Sequence, residues 1–442
     1  MLTKKRLLRV SLIVVVLLLL SQPAVSRAEI RVIDLGTLGG WYSTAAGINA
    51  QGQVVGSSTT ASGLDRAFLW TAQGGMQDLG ALGGGYSSAF GINERSQVVG
   101  SSTTASGVSH AFLWTRQGGI QDLGALGGSS SQALGINTRG QVVGWSNTAS
   151  GEQHAFIWTA QGGMQDLGTL GGPSSAATGI NNRGQVVGWS YTASGGFHAF
   201  LWTSGTGMQD LGTLGGPSSE AFGINDRGQV VGKALTASFE KRAFLWTAQA
   251  GMQDLGTLDS SWSTAESISN RGQVAGSSGV ASGEQHAALW TSTGGMQDLG
   301  TLGGPYSAAM GINDRGQVVG YSATASGEVH AALWSVSGLV KTFLPVISLP
   351  TLGKRGNLFL RTLTLAEDSL SLAVLGFKGS GQHPGPLVLR SDMTALRQRM
   401  LEDRQLRDPE RTTATARSLP VGRRARRTEQ YFKPPVPWHR CG

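Results

Sequence analysis

Residues 154–190 read HAFIWTAQGGMQDLGTLGGPSSAATGINNRGQVVGWS, and this phrase returns along most of the chain. The DLG triplet begins at Asp34, Asp78, Asp122, Asp166, Asp210, Asp254 and Asp298, each 44 residues after the last. The tryptophan that closes the AFLW-type segment falls at Trp70, Trp114, Trp158, Trp202, Trp246, Trp290 and Trp334, with the same step. GQVVG-type segments also occur seven times, counting SQVVG at Ser96 and GQVAG at Gly272. A fixed period in this range marks a repeat architecture.

Each copy holds four short segments of strand length. In the third copy they are Gln132–Asn137, Gln141–Ser146, Ala155–Thr159 and Met164–Leu167. Asn137-Thr138-Arg139-Gly140 fits a type I turn and joins the first two as a hairpin. AQGG is the hairpin signal between the third and fourth. GGPSS (171–175) crosses to the next copy. Val-Val and Phe-Ile-Trp place apolar side chains at consecutive positions, so both faces of these strands need cover. Seven four-stranded antiparallel units of 44 residues imply an all-β fold, a seven-bladed β-propeller, with the small-residue strand beside the axis. A stacked β-solenoid is the alternative, but hairpin turns are unexpected in its coils.

Composition agrees. Charged residues are 14% and glycines number 67 of 442, which suits many tight turns and excludes a charged helical array. Residues 30–350 carry 13 Lys and Arg against 18 Asp and Glu, whereas residues 351–442 carry 17 against 8. The mildly acidic body is thus followed by a basic tail. The one cysteine, Cys441, excludes an internal disulfide.

The N-terminus has a secretory layout: KKRLLR at 4–9, an apolar run Val10–Leu20, then SQPAVSRA. The run is too short to span a bilayer, and cleavage is expected after Ala28, or after Ser26. A secreted protein follows, in the periplasm, at the cell surface or outside the cell. The domains expected are a signal peptide at 1–28, the propeller at 29–345, an irregular linker region at 346–390, and a short helix with a basic disordered tail at 391–442. The array opens with a fourth-strand segment, Val32–Gly36, before any first strand. This segment is expected to complete the last blade and close the ring. Residues 339–344 occupy the matching place at the far end without the DLG motif.

The ordered motifs HAFLW, GGMQDLGTLGG, GIN and GQVVG over residues 31–335 resemble the bacterial HAF repeat, named for triplets such as His110-Ala111-Phe112. The resemblance implies an extracellular or cell-surface protein and no assigned catalytic activity.

Repeated polar residues read as scaffold. One histidine precedes the third strand at His110, His154, His198, His286 and His330, with Arg66 and Arg242 in the other copies. Arginine is not an ordinary metal ligand, so no metal is expected. A structural role follows, with His or Arg donating to a turn or to the aspartate of DLG (Asp78, Asp122, Asp166, Asp210) and so holding strands three and four together, while Trp114, Trp158 and Trp202 are structural residues of the blade. NDRG offers too few oxygens for a calcium loop, the LGG segments precede no helix and are not phosphate loops, and no cofactor is expected.

Variation within the repeat is the better guide to function. Trp145, Trp189 and Tyr321 follow VVG, and Tyr42, Tyr86, Trp262 and Tyr306, with Trp41, stand in the crossing segments. Both positions lie on one face of an up-and-down blade. Their flat apolar rings with polar tips suit sugars or protein loops; the alternative is that they pack between blades and touch no partner. The sequence therefore reads as a monomeric, non-catalytic binding or surface-interaction module for an extracellular glycan or protein. The basic tail suits an anionic surface, and export argues against nucleic acid. The alternative is a propeller hydrolase or lyase acting on an extracellular polymer. That reading requires clustered, unrepeated carboxylates, for which Asp65, Glu220, Asp259 and Glu266 are scattered candidates.

Overall fold

The computed structural model describes residues 29–337, 359–366 and 369–376. The chain divides into two compact units, Met1–Leu344 and Pro345–Gly442. In the first unit, four-stranded antiparallel blades follow one another in chain order, with blades 7 and 1 joined into one eight-stranded sheet by a parallel bridge between Tyr42 and Val329. Blade 3 consists of Gly127–Ile136, Val142–Thr148, Gln153–Thr159 and Gly163–Asp166, from the inside out. The innermost strands are longer than the sequence suggests, starting at the double glycine of the crossing segment. Leu126 and Gly127 both pair with Thr148, so the crossing segment is already strand. Most of the crossing aromatics, Trp41, Tyr42, Tyr86 and Tyr306, therefore stand on innermost strands rather than in loops.

Seven apolar clusters hold these blades together, one at each junction between neighbours. The paired valines show why consecutive apolar residues are needed. Val54 packs in the junction behind blade 1 with Phe68, and Val55 in the junction ahead of it with Phe112. One strand thus supplies both sides of its blade.

The ring closes on its own N-terminus. Glu29–Asp34 pairs antiparallel with Val329–Ser337 as the outer strand of blade 7, with Val32 opposite Trp334. Leu35 then enters the junction of blades 7 and 1 beside Ala45 and Val319. Residues 339–344 and the stretches expected to form a signal peptide (1–28) and a helix with a basic tail (391–442) lie outside the described residues. In the second unit, within the stretch 346–390, Phe359–Ala366 pairs with Ser369–Gly376 as a two-stranded antiparallel hairpin.

Two series of buried polar side chains stitch the blades. Ser87 Oγ accepts from Ala67 N of the preceding blade (2.9 Å) and donates to Gly80 O (2.6 Å). The same serine recurs at every junction, ending with Ser43 and Ala331 N (2.8 Å) across the closure. At the other end of the innermost strands, Asn93 Nδ2 donates to Asn137 O of the next blade (2.9 Å) and to Gln97 Oε1 (2.8 Å). Asn313 makes the corresponding bond to Asn49 O, again across the closure.

Blade 6 breaks the asparagine series with Ser269. Among the described residues, its Gln273 Oε1 is buried without a hydrogen-bond partner. Ser269→Asn would supply that oxygen with a donor and reach the carbonyl of Asn313. The substitution is expected to stabilise the propeller by about 1–2 kcal/mol, read as a raised midpoint of thermal unfolding. An unchanged or lowered midpoint contradicts the asparagine account.

Candidate functional site

Strand direction separates two faces of the disc. The crossing face carries the passages between blades and the loops between second and third strands. The hairpin face carries the turns between first and second strands and between third and fourth.

On the crossing face the repeated polar residues hold each other. Asp122 accepts from His110 Nδ1 at 2.8 Å and from Gly124 N at 2.8 Å, which ties the third strand, the outer strand and the turn after it. The pairs His154–Asp166 and His198–Asp210 (each 2.7 Å) and His286–Asp298 (2.8 Å) repeat this. His330 reaches Asp34 at 2.8 Å and so locks the closing strand. In blade 1, Arg66 Nε lies 3.8 Å from Asp78, and its guanidinium also donates to Gly85 O of the next blade. Blade 5 differs: Arg242 pairs with Glu240 at 2.8 Å, while Asp254 Oδ1 still accepts from Gly256 N. Trp114, Trp158 and Trp202 pack in the blade junctions. Among the described residues no three His, Cys, Asp or Glu side chains come together as a metal site.

The variable aromatics do not form one continuous rim. Trp41 and Tyr42 lie 5.5 Å apart, with Trp41 57% exposed. Tyr42 stands on the innermost strand of blade 1, which bridges blade 7 at Val329, and blade 7 carries Tyr306 on its innermost strand and Tyr321 on its second; burial pushes the Tyr42 hydroxyl above its usual value, and Tyr321, Asp65 and Tyr306 push it further. Burial also raises Tyr321 and Tyr306, so the phenols stay protonated as donors. The other rings stand apart from this group. Trp145 Nε1 donates to Gln132 Oε1 (3.0 Å), whose amide reaches Ser101 of the previous blade. Trp189 packs edge-on against Tyr191 and Phe197 at 6.0 and 6.4 Å. Trp262 is stacked by Lys241 Nζ at 4.7 Å, and Tyr86 is 53% exposed.

Two of the scattered carboxylates meet where blades 5 and 6 adjoin. Glu220 and Lys233 face each other on paired strands, 3.0 Å apart. Lys233 also lies over the Phe222 ring at 5.3 Å. Glu266 stands on the next innermost strand at the repeat position that Phe222 fills in blade 5. Burial pushes its carboxyl up to about 7, against the pull of Lys233 and a Thr264 hydrogen bond. Lys233 and Lys241 are the only lysines in residues 29–337, and both bear on this carboxyl. Sequence reading misses this grouping because the two lysines and Glu266 lie far apart in the chain and stand at different positions of the repeat.

A carboxyl with a raised folded pKa holds its proton where the unfolded chain has released it. Its effect on stability therefore becomes more unfavourable as pH rises from about 4.5 to about 7, then levels off. Glu266→Gln removes that loss. The variant is expected to gain on the order of 2 kcal/mol relative to wild type between pH 5 and pH 8, at about 1.4 kcal/mol for each tenfold change in proton affinity. Chemical unfolding at the two pH values checks this, and a gap that does not widen with pH contradicts it.

On the hairpin face the axial channel opens into a cavity of about 240 Å³. Its wall is a ring of isoleucines such as Ile92 and Ile136, then the asparagine series, then Glu94, Asp226 and Asp314. Each of these carboxylates accepts from a backbone N–H of the preceding blade, as Asp314 does from Asn270 N at 2.7 Å.

No family model and no curated protein matches the chain. Solved structures do. TolB from Acinetobacter baumannii is 11% identical over 59% of this chain and 63% of that one, with a TM-score of 0.41, so the chain spans less than two thirds of it. The β-propeller domain of the Trilobed protease from Pyrococcus furiosus, described as having an open velcro topology, is 10% identical over 66% and 96%, at 0.47. Aleuria aurantia lectin, described as a six-bladed propeller with a novel fucose recognition mode, is 10% identical over 59% and 96%, at 0.35. At such identities the likeness concerns fold alone. By strand order, register and ring closure the chain is a seven-bladed β-propeller.

Proposed function

We propose that this propeller is an exported, non-catalytic binding module that takes a glycan on its crossing face, at the junction of blades 7 and 1. The placement of Tyr42 beside the exposed Trp41 on blade 1, across the junction from Tyr306 and Tyr321 on blade 7, carries this reading. These are positions where the repeat varies, so the scaffold does not require the rings. Flat rings with protonated hydroxyls offer stacking and donors to a sugar together. Export rests on the basic and apolar layout of residues 4–28, and the likeness to the HAF repeat is in keeping with it.

Charge narrows the ligand. The crossing face holds fifteen Asp and Glu against four Lys and Arg, which disfavours a uronate polymer and favours a neutral or amino-bearing saccharide. The test is a binding screen of the full chain against neutral, amino-bearing and carboxylated polysaccharides, repeated with Trp41→Ala/Tyr306→Ala. The double variant is expected to lose about 30-fold in affinity, at about 1 kcal/mol per ring, with an unchanged unfolding midpoint. Binding that survives the loss of both rings contradicts the site.

The hydrolase or lyase alternative draws on one observation, the Glu266 carboxyl poised at about 7 beside Lys233. General acid catalysis works best with a pKa near the working pH. Under that reading Glu266→Gln abolishes turnover of a bound polysaccharide; under the binding reading the wild type releases no shortened product at all.

A further inference from the structure

The hairpin face is charged the opposite way from the crossing face. The turn between first and second strands carries an arginine in six of seven blades: Arg95, Arg139, Arg183, Arg227, Arg271 and Arg315. All six are exposed. Among the described residues none of them forms a salt bridge, since the arginine pairs found there are those of Arg66 and Arg242. The turn geometry sets them level. In five of these six turns the side chain of an asparagine two residues earlier accepts from the arginine N–H, as Asn137 Oδ1 does from Arg139 N at 3.0 Å; in blade 6 Ser269 takes the place of that asparagine before Arg271. The asparagine ring in turn binds blade to blade. Six turns at one repeat position on a closed ring therefore present six guanidinium groups around one mouth.

Arg116, in a turn between third and fourth strands, adds a seventh positive charge to this face. Glu29 and Arg31, where the closing strand starts on this face, offset each other, and against the arginines stand Glu94, Asp226 and Asp314, whose oxygens are engaged by the neighbouring backbone. The disc is thus polarised, positive on the hairpin face and strongly negative on the crossing face.

We propose that the hairpin face seats the propeller on an anionic lipid surface. The shape of the charge favours a surface over other anions. A closed ring meets a plane of head groups at all six points together, whereas a linear polyanion crosses it at two or three. A small anion entering the cavity would meet Glu94, Asp226 and Asp314 at its rim. The turns hold no aromatic side chain for stacking nucleic-acid bases. The negative crossing face is repelled by the same surface, so the field orients the disc before contact. Seated this way, the propeller leaves its aromatic face open to a ligand.

The test is sedimentation of the full chain with phosphatidylcholine vesicles, with and without about 30 mol% phosphatidylglycerol. Wild type is expected to bind only the anionic vesicles and to release as salt rises from about 0.05 M to about 0.3 M. The variant Arg139→Gln/Arg183→Gln/Arg227→Gln is expected to bind roughly 100-fold more weakly, from the known contribution of a basic side chain at such a surface. Its folding is checked by thermal unfolding, which these exposed side chains should leave unchanged. Vesicle affinity equal to wild type would assign any binding to the basic tail and overturn the proposal. So would a variant that loses affinity for soluble polyphosphate when the wild type does not sediment with vesicles.

Discussion

Replacing Gly188 with alanine is expected to destabilise the propeller by about 3 kcal/mol or more, read as a large fall in the denaturant midpoint. Gly188 ends the VVG of blade 4, where the second strand pairs with the innermost strand next to its bulge at Thr178. A methyl group there would sit against the Ala176 carbonyl, within 2.9 Å of its carbon and of Ala177 Cα. Those atoms are backbone on both sides, and the innermost strand is fixed by the next blade, so neither can withdraw. The control is Gly195→Ala in the loop after the same strand. Gly195 has φ +91° but open space around its Cβ position. Its substitution carries only backbone strain, about 1 kcal/mol. Blade 5 already shows that such strain is tolerated, because Phe239 occupies the equivalent loop position with φ 62° and is 71% exposed. Equal effects at Gly188 and Gly195 on the denaturant midpoint would contradict the close-approach account.

Removal of residues 29–36 is expected to be larger still. The segment provides the outer strand of blade 7 and the lock His330–Asp34. It also buries Leu35 in the junction of blades 7 and 1 and packs Ile30 and Val32 against the cluster that contains Trp334. Trp334 is fully buried, with 0% of its surface exposed. Burial of each such aliphatic side chain contributes about 1.5–3 kcal/mol. The summed loss approaches the whole stability of an ordinary domain, about 5–15 kcal/mol. Deletion also leaves Val329–Ser337 as a bare apolar edge strand, a template for pairing with other chains. Light scattering with size-exclusion chromatography should show aggregates in place of the wild-type species. A deletion variant with the wild-type elution and unfolding midpoint would show that the ring does not depend on this strand.

What can be read from the sequence is whatever repeats. Trp158, Asp166 and the His154 position stand at a fixed step, so blade number, strand order and their scaffold role are legible. Val32–Gly36 is legible as the closing strand because it is a fourth strand without a first. The serine series is not, since Ser87 or Ser131 is one small residue among several and only the junction shows which hydroxyl is buried. The arginines look like turn punctuation in the sequence, because their meaning lies in which face of the disc the turns share. Glu220, Lys233 and Glu266 look scattered because blades 5 and 6 meet laterally at a separation of about one repeat. The aromatic positions stand out by variation alone, and which of them pair with another ring or with a polar neighbour depends on side-chain packing.

The central claim is that variation in the repeat marks the binding face. Amide hydrogen exchange of the full chain, with and without a saturating polysaccharide from the binding screen, tests it most directly. Protection is expected at Gly39–Ser43, Gly303–Ser307 and Gly320–Ser322, around Tyr42, Tyr306 and Tyr321. Protection confined to the hairpin turns around Asn137–Gly140 and Asn181–Gly184 would place the ligand on the opposite face and contradict it.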